Sequence, residues 1–361
     1  MALGLGRGYD FTIVGAGPAG VAAAYAISRR GYGVLILEAA ERPGLKPCGW
    51  AIPDTGDLPV PVPRDTVLAR IRGAELLVDG SPAVRVEGWL SGYIVDKPAY
   101  LEALASEAGA DVEYRSPFIP ARRAARLRGS MLVDVKPSLV AGGIPFYAGE
   151  KILAVEAPAR PRGDCPVRDM LYIDFDTRLI GYFWAFPRGE GELQVGVGGY
   201  ADYATLRGLL EWWVERRLPC KAEILGGLRG APLAVGGLSL GESGGAPLAG
   251  EAAGFVLPLT GEGIRPSLIS GYRAGEALAS GSDPLKAQGE AGIARAVRVQ
   301  RRILERVKRM SPRERGRLLS SIPARVHAEV ALGTLRVGVI ARELASRPRL
   351  ASRILRLILG G

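Results

Sequence analysis

The chain of 361 residues has one histidine, His327, and three cysteines, Cys48, Cys165 and Cys220. A single imidazole leaves zinc catalysis and histidine-based triads little to work with. None of the cysteines forms a C-x-x-C pair, which argues against both a disulfide framework and a metal site. No apolar run reaches the roughly 18 residues a membrane span needs. GFVLPLTG at 254–261 is broken by proline and glycine. The N-terminus lacks the charged-then-apolar pattern of a secretion signal, so a cytoplasmic protein is expected. Basic–aromatic interleaving is missing too, and no nucleic-acid partner is expected.

What remains is a folded globular composition, 48% apolar and 23% charged, long enough for one large core or a few modest ones. The net charge of +10 is unevenly placed. From Arg295 to Gly361 there are 17 Lys and Arg against four Asp and Glu, a balance of +13, so the preceding residues sum to −3. Most of this tail reads as helical. In PRLASRILRLILGG (348–361), Leu350, Ile354, Leu357 and Ile358 follow helical spacing beside Arg349, Arg353 and Arg356. Such a helix either faces a core with solvated arginines, or lies on an anionic membrane surface.

Tyr9–Val14 is a short apolar run that ends at a glycine cluster, the pattern of a buried parallel strand. Pro18–Arg30 is alanine-rich and helical, and Val34–Leu37 is a second strand ending at Glu38. Glu75–Val78 and Val84–Val86 read as short strands, Tyr100–Ala108 as a helix and Ala110–Tyr114 as a strand. Between Lys151 and Val197 short strands alternate with turns, which predicts a mainly antiparallel sheet. Leu206–Arg217 is an amphipathic helix, Gly236–Gly250 a glycine-rich loop, and Leu268–Ala279 a helix. Within that loop Gly241-Glu242-Ser243-Gly244-Gly245 fits the G-x-S-x-G of hydrolases, but its flanks do not suit the strand–turn–helix that a nucleophile elbow requires.

Gly15-Ala16-Gly17-Pro18-Ala19-Gly20 follows a strand and opens a helix. Gly15 permits the turn and Gly17 lets the backbone approach a pyrophosphate. Gly20 allows close helix–strand packing, while the helix N-terminus offers free N–H groups. Glu38, at the end of the second strand, can accept hydrogen bonds from a ribose. The fingerprint does not distinguish FAD from NAD.

A second segment, GEAAGFVLPLTGEGIRPS (250–267), suits a bulky two-part cofactor. Here the sequence resembles the geranylgeranyl reductase family of the p-hydroxybenzoate hydroxylase group. The resemblance implies FAD, with Glu251 on the ribityl chain and Gly263 and Ile264 against the isoalloxazine. KPCG (46–49) resembles the family's P/R-C-G segment, which places Cys48, Gly49 and Ala51 at the flavin. VDKPAY (95–100) resembles D-R-x-x-F, with Lys97 where an arginine contacts FAD, and Phe118 is assigned to the same pocket. YFWAFP (182–187), followed after eight residues by Gly196-Val197-Gly198, matches Y-x-W-x-F-P-x(7–8)-G-x-G. That motif implies an isoprenoid channel lined by Tyr182, Trp184, Phe186, Gly196 and Gly198.

The resemblance implies an α/β architecture: a doubly wound, glutathione-reductase-like Rossmann FAD domain with an inserted, mainly antiparallel substrate domain and a C-terminal helical region. The expected segments are 1–72, 92–142 and 240–285 for the FAD domain, 73–91 and 143–239 for the substrate domain, and 286–361 for the basic region. The implied activity is saturation of C=C bonds in geranylgeranyl chains of archaeal-type lipids or their precursors. An external donor, NAD(P)H or ferredoxin, would reduce the flavin, and a lipid substrate suits contact with the inner face of the cell membrane. A flavin monooxygenase and a non-catalytic lipid-binding flavoprotein are the rival readings. Catalysis would fall to Cys48, Tyr182 and Trp184. Faces of the aromatics could stabilise positive charge on a tertiary carbon by about 0.5–2 kcal/mol per contact. Cys48 is expected to shape the flavin pocket, and is open as a proton source; no metal ligand or base lies near it in sequence.

Overall fold

A computed structural model describes residues 8–117, 130–133, 147, 149–243 and 245–359. The chain opens β1 (Phe11–Val14), α1 (Pro18–Ser28), β2 (Val34–Leu37), β3 (Ala51–Pro53), β4 (Val67–Val78) and β5 (Ser81–Val95). There follow α2 (Lys97–Glu107), β6 (Asp111–Glu113), β7 (Ser130–Val133), β8 (Lys151–Pro161), β9 (Met170–Asp176), β10 (Gly181–Gly189) and β11 (Glu192–Gly199). Then come α3 (Tyr203–Arg216), β12 (Ala222–Ile224), β13 (Arg229–Ala234), β14 (Glu242–Ser243), β15 (Ala246–Ala249) and α4 (Ile264–Ala279). The basic region holds α5 (Pro284–Glu290), α6 (Gly292–Arg309), α7 (Pro312–Ser321), α8 (Ala324–Ala331), α9 (Val337–Leu344) and α10 (Pro348–Leu359).

Two sheets organise these elements. The first runs β14-β15-β7-β1-β2-β6, all parallel except the β14–β15 hairpin. Its central strands β1 and β2 are mostly buried, with α1 packed against both. Helices α1 and α4 cross at unusually close range: a Cβ on Gly271 would stand 2.0 Å from the Ala19 carbonyl oxygen. Small residues on both helices permit this approach, and it brings the two N-termini toward one side of the sheet.

The second sheet runs β12-β8-β11-β10-β9-β4-β5-β3, with β13 also on β8. Its pairings are antiparallel apart from β4 with β9. One face packs on α3, where Phe183 stacks on Trp213 with ring centroids 5.2 Å apart. The buried Trp213 indole donates to Asp174 at 2.9 Å.

Several expectations are corrected here. The short strands expected at 75–78 and 84–86 are parts of one long hairpin, β4–β5. Its register shifts between Ile71 and Gly73 and again between Leu76 and Leu77. The expected segment boundaries at 72/73 and 91/92 therefore fall inside strands that belong wholly to the second sheet. Residues 246–249, read as loop, form β15 inside the first sheet. Ser243 accordingly sits in a hairpin followed by a strand, which is not the geometry of a nucleophile elbow. Cys165 and Cys220, 55 residues apart, form a disulfide. Their loops lie at one edge of the second sheet, a proximity that spacing alone did not reveal.

In the tail, the described apolar side chains of α10 face inward: Leu350 and Ile354 pack with Val326, Ile340 and Leu344. The side chains of Leu357 and Ile358 lie outside the described residues. Among the described residues no helix is long and apolar enough to cross a membrane.

Candidate functional site

A cavity of about 360 Å³ lies between the second sheet, the loop before α4 and the C-terminal helices. Strand periodicity builds its main wall. Tyr182, Trp184 and Phe186 alternate with Phe183 and Ala185, so the first three face the cavity while the other two face α3. Their rings lean on one another, 5.9 Å between Tyr182 and Trp184 and 6.3 Å between Trp184 and Phe186. Two glycines make room for them. A Cβ on Gly196 would stand 2.1 Å from the Trp184 ring, and one on Gly49 would stand 2.8 Å from Phe186.

At one end the cavity meets the segment leading into β3 and the start of α4. Pro47, Cys48, Gly49 and Ala51 line it together with Gly261, Glu262, Gly263 and Ile264, and Gly198 adds to the sheet wall. The structure thus unites segments some 200 residues apart in sequence. Cys48 is a half-buried free thiol. Gly263 caps α4 with no side-chain hydrogen bond, as Gly17 caps α1, so the first N–H groups of both helices are without side-chain caps. Tyr182 is tied to this end, since its phenol donates to the Thr260 carbonyl. Burial pushes its pKa up, and the hydroxyl serves as a clasp between the aromatic strand and the loop before α4.

The remaining expected site residues stand outside this cavity wall. Gly15, Pro18, Ala19 and Gly20 form the turn and first turn of α1. Glu38, buried at the tip of β2, accepts from the backbone N–H groups of Ala16 and Ala40, each at 2.8 Å. Lys97 is buried, and its ammonium donates to the Lys46 carbonyl at 2.6 Å, which pins the segment carrying Cys48. Glu251 forms an ion pair with Lys46 and accepts from the Ala234 N–H at 3.2 Å. Phe118 lies outside the described residues.

Three contributors were not legible in the sequence. Arg265, 1% exposed, makes a two-point contact with Glu262 at 2.8 and 3.0 Å and donates to the Leu332 carbonyl at 2.6 Å. It thereby fastens the loop before α4 to the end of α8; burial opposes the guanidinium's charge, but Glu262 and Asp57 outweigh it and raise its pKa. Glu156, on β8, is a buried carboxyl in the cavity wall. The third is the basic tail: Leu304 and Val307 of α6, Leu318 of α7, Val326 and His327 of α8 and Ile354 of α10 close the cavity opposite the sheet. Helical spacing marked Ile354 among these, but not what it covers.

A family model described as an NAD(P)-binding Rossmann-like domain matches residues 13–55, the span from β1 through β3. Digeranylgeranylglycerophospholipid reductase 1 of Methanopyrus kandleri is 32% identical over 305 residues, covering 74% of this chain and 80% of the relative. The chain belongs to the geranylgeranyl reductase family. Digeranylgeranylglycerophospholipid reductase of Thermoplasma acidophilum is 28% identical over 308 residues, 74% of this chain and 77% of that protein. Geranylgeranyl diphosphate reductase of Rhodobacter capsulatus is 29% identical over 299 residues, 74% of each. Among solved structures, a geranylgeranyl bacteriochlorophyll reductase-like protein of Thermoplasma acidophilum superposes with a TM-score of 0.74 at 20% identity, over 97% of this chain and 99% of that one. That likeness shares the fold. As a member of the family this chain is an oxidoreductase, a flavin-dependent reductase acting on carbon–carbon bonds.

Proposed function

We propose that this geranylgeranyl reductase family member uses FAD to saturate C=C bonds of geranylgeranyl chains in archaeal-type isoprenoid lipids or their precursors. The observation that carries the reading is a cavity in which an aromatic, mostly apolar wall meets the Cys48 and Gly263 segments. Its volume lies within the roughly 300–1,000 Å³ of ordinary ligand pockets. An elongated hydrocarbon is matched by such a wall, whereas an aromatic acid would find few charges to orient it.

The residues present fit FAD. The glycine turn before α1 offers backbone N–H groups to a pyrophosphate, and Glu38 stands where a ribose hydroxyl can donate to it. Each Glu38 oxygen already takes one backbone N–H, and a carboxylate oxygen has a second lone pair for a ligand. The uncapped N-terminus of α4 suits the electron-rich edge of a flavin ring. When bound and reduced, the flavin supplies a hydride to one alkene carbon. The chain's own residues hold the alkene, exclude water and supply the proton. Tyr182, Trp184 and Phe186 present ring faces to any positive charge developing on a tertiary carbon, and the tail helices shut the opposite side.

Reduction of the flavin falls to an external donor, NAD(P)H or ferredoxin, and the lipid substrate favours contact with a membrane surface. The test is to reduce the protein with dithionite, add a geranylgeranyl lipid and follow chain mass. The expected result is a gain of one H2 per saturated bond. Oxygen consumption with an oxygenated product would instead assign a monooxygenase, and binding without any mass change would refute the reductase reading.

A further inference from the structure

The cavity wall is mostly apolar, and on its strand side one carboxyl stands out, that of Glu156. In the cross-strand row Trp184–Gly196–Glu156–Arg229, the indole lies over the bare Gly196, one strand from Glu156. Both oxygens of Glu156, both amide atoms of Gln194 and Nε1 of Trp184 are buried here, and none meets full hydrogen-bond geometry with a partner. Glu156 is 2% exposed and Gln194 1%. Buried polar atoms are almost always well paired, so five imperfectly satisfied ones on neighbouring strands, with Glu156 and Trp184 in the cavity wall, point to a function. The spot adjoins the flavin end. A Cβ on Gly49 would stand 3.5 Å from Trp184 Nε1, and the Cys48 N–H faces the Glu156 carboxyl.

We propose that Glu156 is the proton donor of the reduction, holding a proton on its carboxyl in the cavity wall and delivering it to the alkene. This rests on the reductase reading above. The Oε–H bond breaks as a C–H bond forms at one alkene carbon, while the other carbon takes the hydride; the alkene is reduced and the flavin oxidised. The carboxylate left behind regains its proton from water. Arg229, whose side chain is 49% exposed and whose guanidinium stands 3.5 Å from Glu156, marks the way to solvent.

The surroundings favour a neutral carboxyl at rest. Burial pushes its pKa above the ordinary 4.5, and this outweighs Gln194 of β11, the Cys48 N–H, Arg229 of β13 and Lys97 of α2, which all favour the charged form. Gln194 and the Cys48 N–H stand within reach of the carboxyl and Arg229 lies at 3.5 Å, but none meets full hydrogen-bond geometry on either oxygen. A carboxylic acid is also intrinsically a stronger acid than the neighbouring thiol. Cys48 then shapes the site, and Glu156 protonates.

The test compares native protein, Glu156→Gln and Glu156→Asp, each with flavin bound. A carboxamide has the shape of a neutral carboxyl, so Glu156→Gln should fold and keep its flavin absorbance. Reduction of the geranylgeranyl lipid by the dithionite-reduced protein should fall about a hundredfold or more, with partial activity in Glu156→Asp. A second readout does not use turnover. With its pKa raised in the folded state, native Glu156 makes the melting temperature fall as pH rises above 4.5 through the folded value. The Glu156→Gln profile should lack that fall. A loss of turnover smaller than about tenfold, a failure of Glu156→Gln to fold, or coincident pH profiles would each overturn the proposal. A native enzyme inert toward the lipid would instead sink the reductase reading, while the melting profiles would still report the proton on Glu156.

Discussion

Replacing Gly196 by alanine places a methyl carbon 2.1 Å from Cζ2 of Trp184, 2.4 Å from Cε2 and 2.6 Å from Cη2. Carbon atoms at rest stand about 3.5–4.0 Å apart, so the indole must retreat by more than about 1 Å. It cannot do so freely, because Tyr182 and Phe186 lean on it from either side and Gly49 lies beneath its Nε1. Overpacking of this kind costs about 1–3 kcal/mol. The other glycine of the same motif provides the control. A Cβ on Gly198 would meet the Ala154 methyl at 3.4 Å, an ordinary contact. Gly198→Ala should therefore be neutral or stabilising by about 0.4–1 kcal/mol, since alanine restricts the unfolded chain. Urea titrations followed by circular dichroism should lower the midpoint for Gly196→Ala, with unchanged slope, and not for Gly198→Ala. Equal midpoints for the two variants would refute the claim that Gly196 exists to seat the Trp184 ring.

Arg265→Ala leaves Glu262 buried without its partner, and should cost about 3–5 kcal/mol and loosen flavin binding, as read by denaturant unfolding and flavin absorbance. Removing the Cys165–Cys220 link by a double alanine substitution opens a loop of 55 residues, and should cost about 4 kcal/mol of stability. Cys48→Ser should retain flavin and alter turnover; a protein purified without flavin would make the role of Cys48 purely structural. Burial pushes the His327 pKa below 6.5, and its Nε2 lies 2.9 Å from the Leu319 carbonyl oxygen. The imidazole borders the cavity rather than bulk water. Because the unfolded chain takes up that proton first, the stability it contributes is present above pH 6.5 and lost as pH falls from there toward the folded pKa. His327→Gln should flatten melting temperature against pH in that range.

The sequence by itself determined the elements whose chemistry is local. A glycine turn between an apolar strand and an alanine helix can form little else, and β1, α1 and β2 fall where patterning put them. Strand alternation likewise determined that Tyr182, Trp184 and Phe186 share a face, because the period of two is a property of the backbone. Where packing chose among local possibilities, the reading went astray. Ala246–Ala249 is a strand because β7 lies beside it, despite a composition suited to loops. The hairpin β4–β5 runs through Gly73 and Gly92 because neighbouring backbone comes too close there for a side chain. Only the tertiary structure brought Cys165 to Cys220 and Arg265 to Glu262 and Leu332, and gave the basic tail its task of closing the cavity. Glu156 shows the division most plainly. In sequence it is one acid among 37 Asp and Glu, and nothing in its neighbourhood sets it apart. What distinguishes it is desolvation beside Cys48 and Trp184, and desolvation is created by the packing of segments distant along the chain.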